Sequence, residues 1–479
     1  MGEDRTGQRA DALILTAVWC AVLVPAGLGV LQLLFRRIGG GLRGAIALFG
    51  TALTLALVVW LWVWQGGAVT SCGTSPDMLA PFFRVDGVGL LLAALFGAIW
   101  LLVVFYSLGY MRGLEHQDDF YGFLLLMLGA MMGFCFSWNM IAVYIFWELA
   151  GVCTWRLVAH RRSDLEVATA NRTLLITFSG SVLMLVGFAV LFVEGGSFDA
   201  ATLAGHAVSP WAAALILVGM VTKSASLPLY IWLPDAHTAA PSPVSALLSG
   251  IVAKIGLIAY LRIFVQSRVQ LPVWWTWLVG GVGVCGALVA AGIALRENDI
   301  KRILGFSTVS QLGYIFLGFA IASGLGAVAG IVYLVAHAFA KSGLFLAVGL
   351  VEHSTGRRDL RELGGLMRGM PVTAAAVGLL MLSIIGIPPT LGFFGKFYVV
   401  VAATRVSLAL AVGAVVAAVL TLLYMLRLYN IFLGEPRDGV VGHESWVMTT
   451  PVVVLAALTT GLGLCFPVFV RFVERGLGL

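Results

Sequence analysis

Apolar runs of about 20 residues, the length a helix needs to cross a bilayer, follow one another along almost the whole chain with only short polar connections. Fourteen are counted, near 10–35, 43–65, 87–110, 119–136, 138–158, 167–193, 208–232, 242–265, 272–295, 300–322, 325–351, 370–400, 404–433 and 447–473. The expected fold is an all-α polytopic membrane protein of about 14 transmembrane helices. A content of 60% hydrophobic and 11% charged residues over 479 positions excludes a soluble fold. No connection is long enough for a separate domain, so 1–479 reads as one membrane domain. The first run is too long for the core of a secretory signal and ends in Arg36-Arg37 rather than a small-residue cleavage site, so it reads as a helix.

Loop charge sets an expected orientation. Arg36, Arg37, Arg43, Arg112, Arg161, Arg162, Arg296, Lys301, Arg302, Arg357, Arg358, Arg361, Arg368 and Arg437 all fall in loops after odd-numbered runs, against Arg84, Arg268 and Arg405 after even ones. The positive-inside rule makes the odd loops cytoplasmic and puts both termini on the outer face of an inner (plasma) membrane. Arg5, Arg9, Arg471 and Arg475 near the ends pull the other way.

Of 29 Lys+Arg residues only five are lysines, and four of these, Lys223, Lys254, Lys341 and Lys396, lie inside apolar runs. A charge at membrane depth is costly and by default marks function. Lysine can release a proton when buried, whereas a guanidinium stays charged. The choice of residue therefore suits proton exchange. The bland alternative, a side chain snorkelling to a helix end, fits poorly: Lys223 has apolar sequence on both sides and Lys254 sits about midway along its run.

Two runs contain helix breakers. The seventh has Pro228 and Pro234 after Lys223; the twelfth has Gly386, Pro388 and Pro389 before Lys396. Proline frees a carbonyl that, within a bilayer, needs protein or water to satisfy it. The broken runs are five apart, so they cross in opposite directions, the pattern of inverted repeats around a central transport site.

Glu148, in YIFWELAG, is the carboxylate well inside an apolar run, and it needs a cation nearby to stay ionised. Lys223 is the natural partner, either as a static pair that fixes helix packing or as a pair that breaks during transfer. In HAFAKSG, His337 and Lys341 are four residues apart on one helix face. A lone buried His is commonly a packed core residue; the lysine beside it favours a relay. Asp235 and His237, in LPDAH, fall between the seventh and eighth runs as a cap or a proton inlet. Arg156 reads as snorkelling to the cytoplasmic face, with modulation of Glu148 as the alternative. Trp60, Trp62, Trp64, Trp274, Trp275 and Trp277 read as interfacial anchors. The six scattered cysteines show no ligand spacing, so no metal site, iron–sulfur cluster or disulfide framework is expected.

The segments FWELAG, TKSASLPLYIWLPDAHTAAPSPVSALLSGIVAKIG, HAFAKS and GIPPTLGFFGK, within fourteen spans, resemble the antiporter-like subunits shared by respiratory complex I, Mrp-type cation/proton antiporters and membrane-bound energy-converting hydrogenases. The resemblance implies two inverted five-helix repeats, spans four to eight (119–265) and nine to thirteen (272–433), preceded by three helices in 1–118 and followed by a C-terminal helix in 447–479. It further implies Glu148 and Lys223 as a switching ion pair, Lys254 as the connecting lysine, Lys341 as the central relay and Lys396 as the residue near the exit. The end at Leu479 argues against the longest relatives, and PSPVSALLSG is nearer to Mrp and hydrogenase members.

The expected function is proton translocation as one subunit of a redox- or gradient-driven complex, along Glu148, Lys223, Lys254, His337, Lys341 and Lys396. Moving one charge against the membrane potential takes ~2.3 kcal/mol per 100 mV. The chain has no nucleotide, flavin or metal motif, so no cofactor and no redox or hydrolytic site of its own is expected, and energy must reach it through partner membrane subunits or a peripheral redox arm. No nucleic-acid partner is expected. The alternatives are a subunit of a sodium/proton antiporter, an autonomous cation/proton exchanger, and a membrane scaffold.

Overall fold

The computed structural model describes residues 2–35, 39–65, 70–72 and 82–479. Arg36 and Arg37, part of the loop-charge reading, lie outside them, as do the side chains of Arg5, Arg9 and Cys72. The helices run α1 (Gly2–Leu34), α2 (Gly40–Gln65), α3 (Gly87–Tyr110), α4 (Gln117–Phe136), α5 (Met140–Val158), α6 (Asp164–Gly195), α7 (Pro210–Lys223), α8 (Trp232–Ala239), α9 (Ser242–Gly250), α10 (Ile255–Tyr260), α11 (Val273–Ala294), α12 (Ile300–Ala320), α13 (Gly324–Thr355), α14 (Pro371–Ile385), α15 (Leu391–Thr404), α16 (Leu408–Leu433), α17 (Trp446–Leu464) and α18 (Phe466–Leu477). A two-stranded ribbon, β1 (Thr70–Cys72) with β2 (Phe83–Val85), closes the α2–α3 connection. Among the described residues, 12 helical segments are long and apolar enough to cross a membrane. The three shorter apolar helices are α7, α14 and α15. With α7 as one crossing and α14 plus α15 as another, the count is the fourteen of the sequence. The protein is a multi-pass membrane protein.

Helix starts are set by side-chain caps. Asp86, Asn139, Ser163, Asp299 and Ser323 each accept a hydrogen bond from a first-turn amide, of α3, α5, α6, α12 and α13 respectively. The caps on α5, α12 and α13 fix the rotational register of Glu148, Lys301 and Lys341. Close approach of α11 and α12 rests on Gly283, where a Cβ would stand 2.6 Å from the Gly313 carbonyl.

Three spans are wholly surrounded by protein: Ser242–Gln266, α12 and α13. They carry Lys254, Lys301, His337 and Lys341. By contrast α1, α2, α6 and α16 bury well under half of their most apolar stretch and form the periphery. Three of the five lysines thus sit on enclosed spans, and Lys223 on α7 and Lys396 on α15 are buried as well.

The expected break in the run 208–232 is present: its first helix ends at Lys223, and Pro228 lies in the turn that follows. Several other expectations are corrected. The run 242–265 is not one regular helix: a 3-10 turn at Val252–Lys254 and a π-helical turn at Leu261–Gln266 flank α10, so Lys254 sits at an irregularity. The run 447–473 divides at Cys465 into α17 and the amphipathic α18. Lys301 is not a loop charge; it is buried in α12. Trp275 is buried and donates to the Tyr260 hydroxyl at 3.1 Å, and Trp62 stacks on Phe472, whereas Trp60, Trp64, Trp274 and Trp277 are exposed as anchors would be.

Candidate functional site

The α7 break brings two charges together. Lys223 is the last residue of α7, where the unpaired carbonyls of a helix end favour a cation. It is buried, its ammonium donates to the Trp147 carbonyl of α5 at 3.4 Å, and it lies 5.6 Å from the Trp147 ring centroid. Glu148 is the next residue of α5. A Cβ built on Gly151 would be 3.1 Å from Lys223 Nζ and 4.0 Å from Glu148 Oε2, so both charged atoms border the space that Gly151 leaves open. They are neighbours without an ion-pair contact: among the described residues no carboxylate oxygen is within 4.0 Å of Lys223 Nζ, and Glu148 Oε1 is buried without a protein partner. The freed end of α7 is held by Trp232, whose indole donates to the Thr222 carbonyl at 2.9 Å.

Beyond the break, the Ser224 and Ser226 hydroxyls are buried without a protein partner, and Ser224 Oγ abuts Gly256 of α10, two residues past Lys254. Buried hydroxyls in that state are unusual and point to a polar route. Lys254 donates to the Ser249 carbonyl at 2.8 Å; the Ser249 hydroxyl pairs with Thr308 Oγ1 at 2.7 Å; Thr308 Oγ1 donates to the Leu304 carbonyl at 2.9 Å; and Lys341 Nζ donates to the same carbonyl at 3.0 Å. Ser249 and Thr308 therefore tie the two buried lysines together.

His337 is fully buried, neither ring nitrogen has a protein partner, and the charges of Lys254, Lys341 and Lys396 all act on it. Lys396 reaches back across the second break: its ammonium donates to the Ile385 carbonyl at the end of α14 at 3.4 Å and lies 4.5 Å from the Tyr314 ring centroid and 5.7 Å from that of Tyr333. Sequence order put Lys223 before its prolines and Lys396 after its own. In space both lysines lie at a helix break, Lys223 as the last residue of α7 with its ammonium turned to α5, and Lys396 with its ammonium on the carbonyl end of α14. Behind Lys396, Tyr333 donates to Gln311 Oε1 at 2.5 Å, the Gln311 amide donates to Tyr424 at 3.0 Å, and Tyr424 pairs with Ser307 at 2.9 Å.

Charged residues crowd the end of the bundle where α12 begins and α13 finishes. Lys301 pairs with Glu352 at 2.7 Å and donates to the Ala240 carbonyl, while Arg302 pairs with Asp235 at 2.8 Å and Glu297 at 3.2 Å. Asp235 and His237 stand on α8 rather than in a connection; His237 is fully buried, stacked on Phe345, and has no hydrogen-bond partner among the described residues. Arg156 is not snorkelling free. It is paired with Asp119, which also holds Arg162.

The sequence singles out Glu148, Lys223, Lys254, His337, Lys341 and Lys396 as candidates, all of which are in the interior or beside it, and does not point to Ser249, Thr308, Glu352 or the tyrosine–glutamine chain that neighbour them. Small hydroxyls in apolar runs carry no distinguishing pattern. Glu352 followed by Arg357 and Arg358 reads as a loop edge, although the pairing of a lysine and a glutamate at two span ends was there to be noticed.

Residues 137–421, more than half of the chain and including all six candidate residues, match the family described as NADH:quinone oxidoreductase/Mrp antiporter, TM. The chain belongs to this family. Relatives in it include the A1 component of a Na(+)/H(+) antiporter of Staphylococcus haemolyticus, 35% identical over 421 residues and 80% of this chain. The corresponding Na(+)/H(+) antiporter component of Alkalihalophilus pseudofirmus is 34% identical over 466 residues and 86% of this chain. The chain spans about half the length of these relatives, 52% and 57%. Among solved structures, a chain of the Mrp complex of a Dietzia species matches with a TM-score of 0.87 and 26% identity, over 96% of both chains. A chain of Thermus thermophilus respiratory complex I shares the fold, with a TM-score of 0.85 at 23% identity over 96% of this chain and 98% of that one.

Proposed function

We propose that the chain translocates protons across the membrane through Glu148, Lys223, Lys254, His337, Lys341 and Lys396, as one membrane subunit of a larger complex. The observation that carries this reading is the succession of buried exchangeable groups, from Glu148 beside Lys223, past Ser224, to Lys254, which Ser249 and Thr308 link by hydrogen bonds to Lys341, with Lys396 beyond. Proximity of Glu148 favours the ammonium form of Lys223. Withdrawal or neutralisation of the carboxylate removes that support and sends the proton towards Lys254. The hydroxyls of Ser224 and Ser226 border that step. Ser249 and Thr308 position Lys254 against Lys341, and His337 sits within the field of the three lysines beyond Lys223, so a proton arriving at one displaces the next. Residues 119–265 and 272–433 act as the two inverted units, each with its cation at a helix break. Both termini face outwards in the plasma membrane, as the loop charges imply.

The names of the relatives favour one variant of this reading, in which proton movement is exchanged for sodium within an Mrp-type assembly of membrane subunits. The test is proton translocation into vesicles by the assembled complex carrying Glu148→Gln or Lys223→Ala. Each variant should assemble and lose most of its translocation, at least tenfold. Unchanged translocation would reduce the chain to a scaffold, and activity of the chain expressed alone would make it an autonomous exchanger.

A further inference from the structure

A surface cavity of about 590 Å³ opens where α3 and α13 begin and the Leu261–Gln266 turn ends, at the opposite end of the bundle from the Lys301 cluster. Arg84, Arg268 and Arg475 line it, together with Trp138, Phe264 and Ser323. The one carboxylate side chain that lines it, Asp86, is buried and occupied: it pairs with Arg262 and caps the Gly89 amide at 2.7 Å. Arg84 is fixed, with its guanidinium 4.1 Å from the Trp138 ring centroid, its Nε 4.0 Å from Asp86, and that Nε buried without a hydrogen-bond partner. Arg268 and Arg475 are exposed, and among the described residues no carboxylate lies within 4.0 Å of either.

Charge therefore accumulates here with too little to oppose it. The first turn of α13, capped by Ser323, adds the positive end of a 32-residue helix. Beside Gln266, one side of the wall is apolar, with Phe264, Val265, Val269 and Leu477. Along α18, Phe466, Phe469, Val470 and Val473 are buried against the bundle while Arg471 and Arg475 are exposed. A cavity level with helix ends, basic at its mouth and apolar along one side, matches a phosphate that carries hydrocarbon. We propose that it binds the headgroup of an anionic phospholipid: Arg268 and Arg475 hold the phosphate, Arg84 and the α13 amides supply the field behind it, and an acyl chain lies along the apolar wall.

The experiment is native mass spectrometry of the assembled complex, released from nanodiscs that mix phosphatidylglycerol and phosphatidylcholine equally. The protein should retain phosphatidylglycerol in preference to phosphatidylcholine. The double variant Arg268→Gln/Arg475→Gln, which removes two exposed and unpaired charges, should lower that retention about 30-fold. Arg437→Gln, an exposed arginine at the opposite end of the bundle, should leave it unchanged. Equal retention of both lipids, or full retention by the double variant, overturns the proposal. Displacement of phosphatidylglycerol by millimolar inorganic phosphate would also overturn it, by making this a site for a soluble anion.

Discussion

At the residue scale the account turns on the space between Glu148 and Lys223. Alanine is a better helix former than glycine, so Gly151→Ala should not weaken α5. The added methyl would press on Lys223 Nζ, the movable end of a flexible side chain. The expected outcome is intact assembly with proton translocation reduced about tenfold, since small misplacements of reacting groups are costly; vesicle acidification assays measure it, and wild-type rates would show that the spacing is irrelevant. A second residue, His160, lies between α5 and α6 and outside the spans. Burial, and then the charges of Arg156, His116 and Arg161, lower its pKa from 6.5 to about 4. The folded state thus keeps it neutral while the unfolded chain would protonate it. Its contribution is complete above pH 6.5 and is lost as the pH falls towards 4, on the order of 2 kcal/mol between pH 7.5 and 5. Thermal melts in detergent should show a smaller acid-induced fall in Tm for His160→Gln than for the natural protein. Parallel falls would exclude His160 as the cause.

At the element scale the decisive features are the two broken helices. Each presents carbonyls that no amide of its own helix can satisfy, and each has recruited a side chain: the Trp232 indole at Thr222 and the Lys396 ammonium at Ile385. Trp232→Phe keeps most of the buried ring and removes the donor, so it should destabilise the protein by about 1–2 kcal/mol. A Tm equal to that of the natural protein would mean that the break does not depend on this bond. The breaks themselves were legible in the sequence because proline and glycine act locally on the backbone. So were the spans, because hydropathy is summed over many residues. The irregular turn at Lys254 and the division of 447–473 into α17 and α18 were not, since the flanking Gly250, Gly256, Gly463 and Pro467 sit in continuous apolar runs where such residues are also compatible with an unbroken helix.

At the scale of the whole molecule, Lys254, Lys301 and Lys341 lie on spans enclosed by protein, Lys223 and Lys396 are buried on shorter helices, and a hydrogen-bonded line passes from one half of the chain to the other through α9 and α12. The charged candidates were legible in the sequence because charge in an apolar run stands out. What connects them was not: Ser249 and Thr308 look like packing residues until α9 and α12 are side by side, and Lys301 looks like a loop charge until Glu352 is 2.7 Å away. Partnership across helices is a property of the fold, not of any window of residues. Lateral proton passage is proposed to run through Lys254, and among the described residues no carboxylate lies within 4.0 Å of its ammonium whose loss could be mistaken for a broken ion pair. The most direct measurement is therefore the rate of proton translocation by the assembled complex carrying Lys254→Gln. The account predicts a fall of at least tenfold with assembly intact; translocation at the natural rate would contradict it.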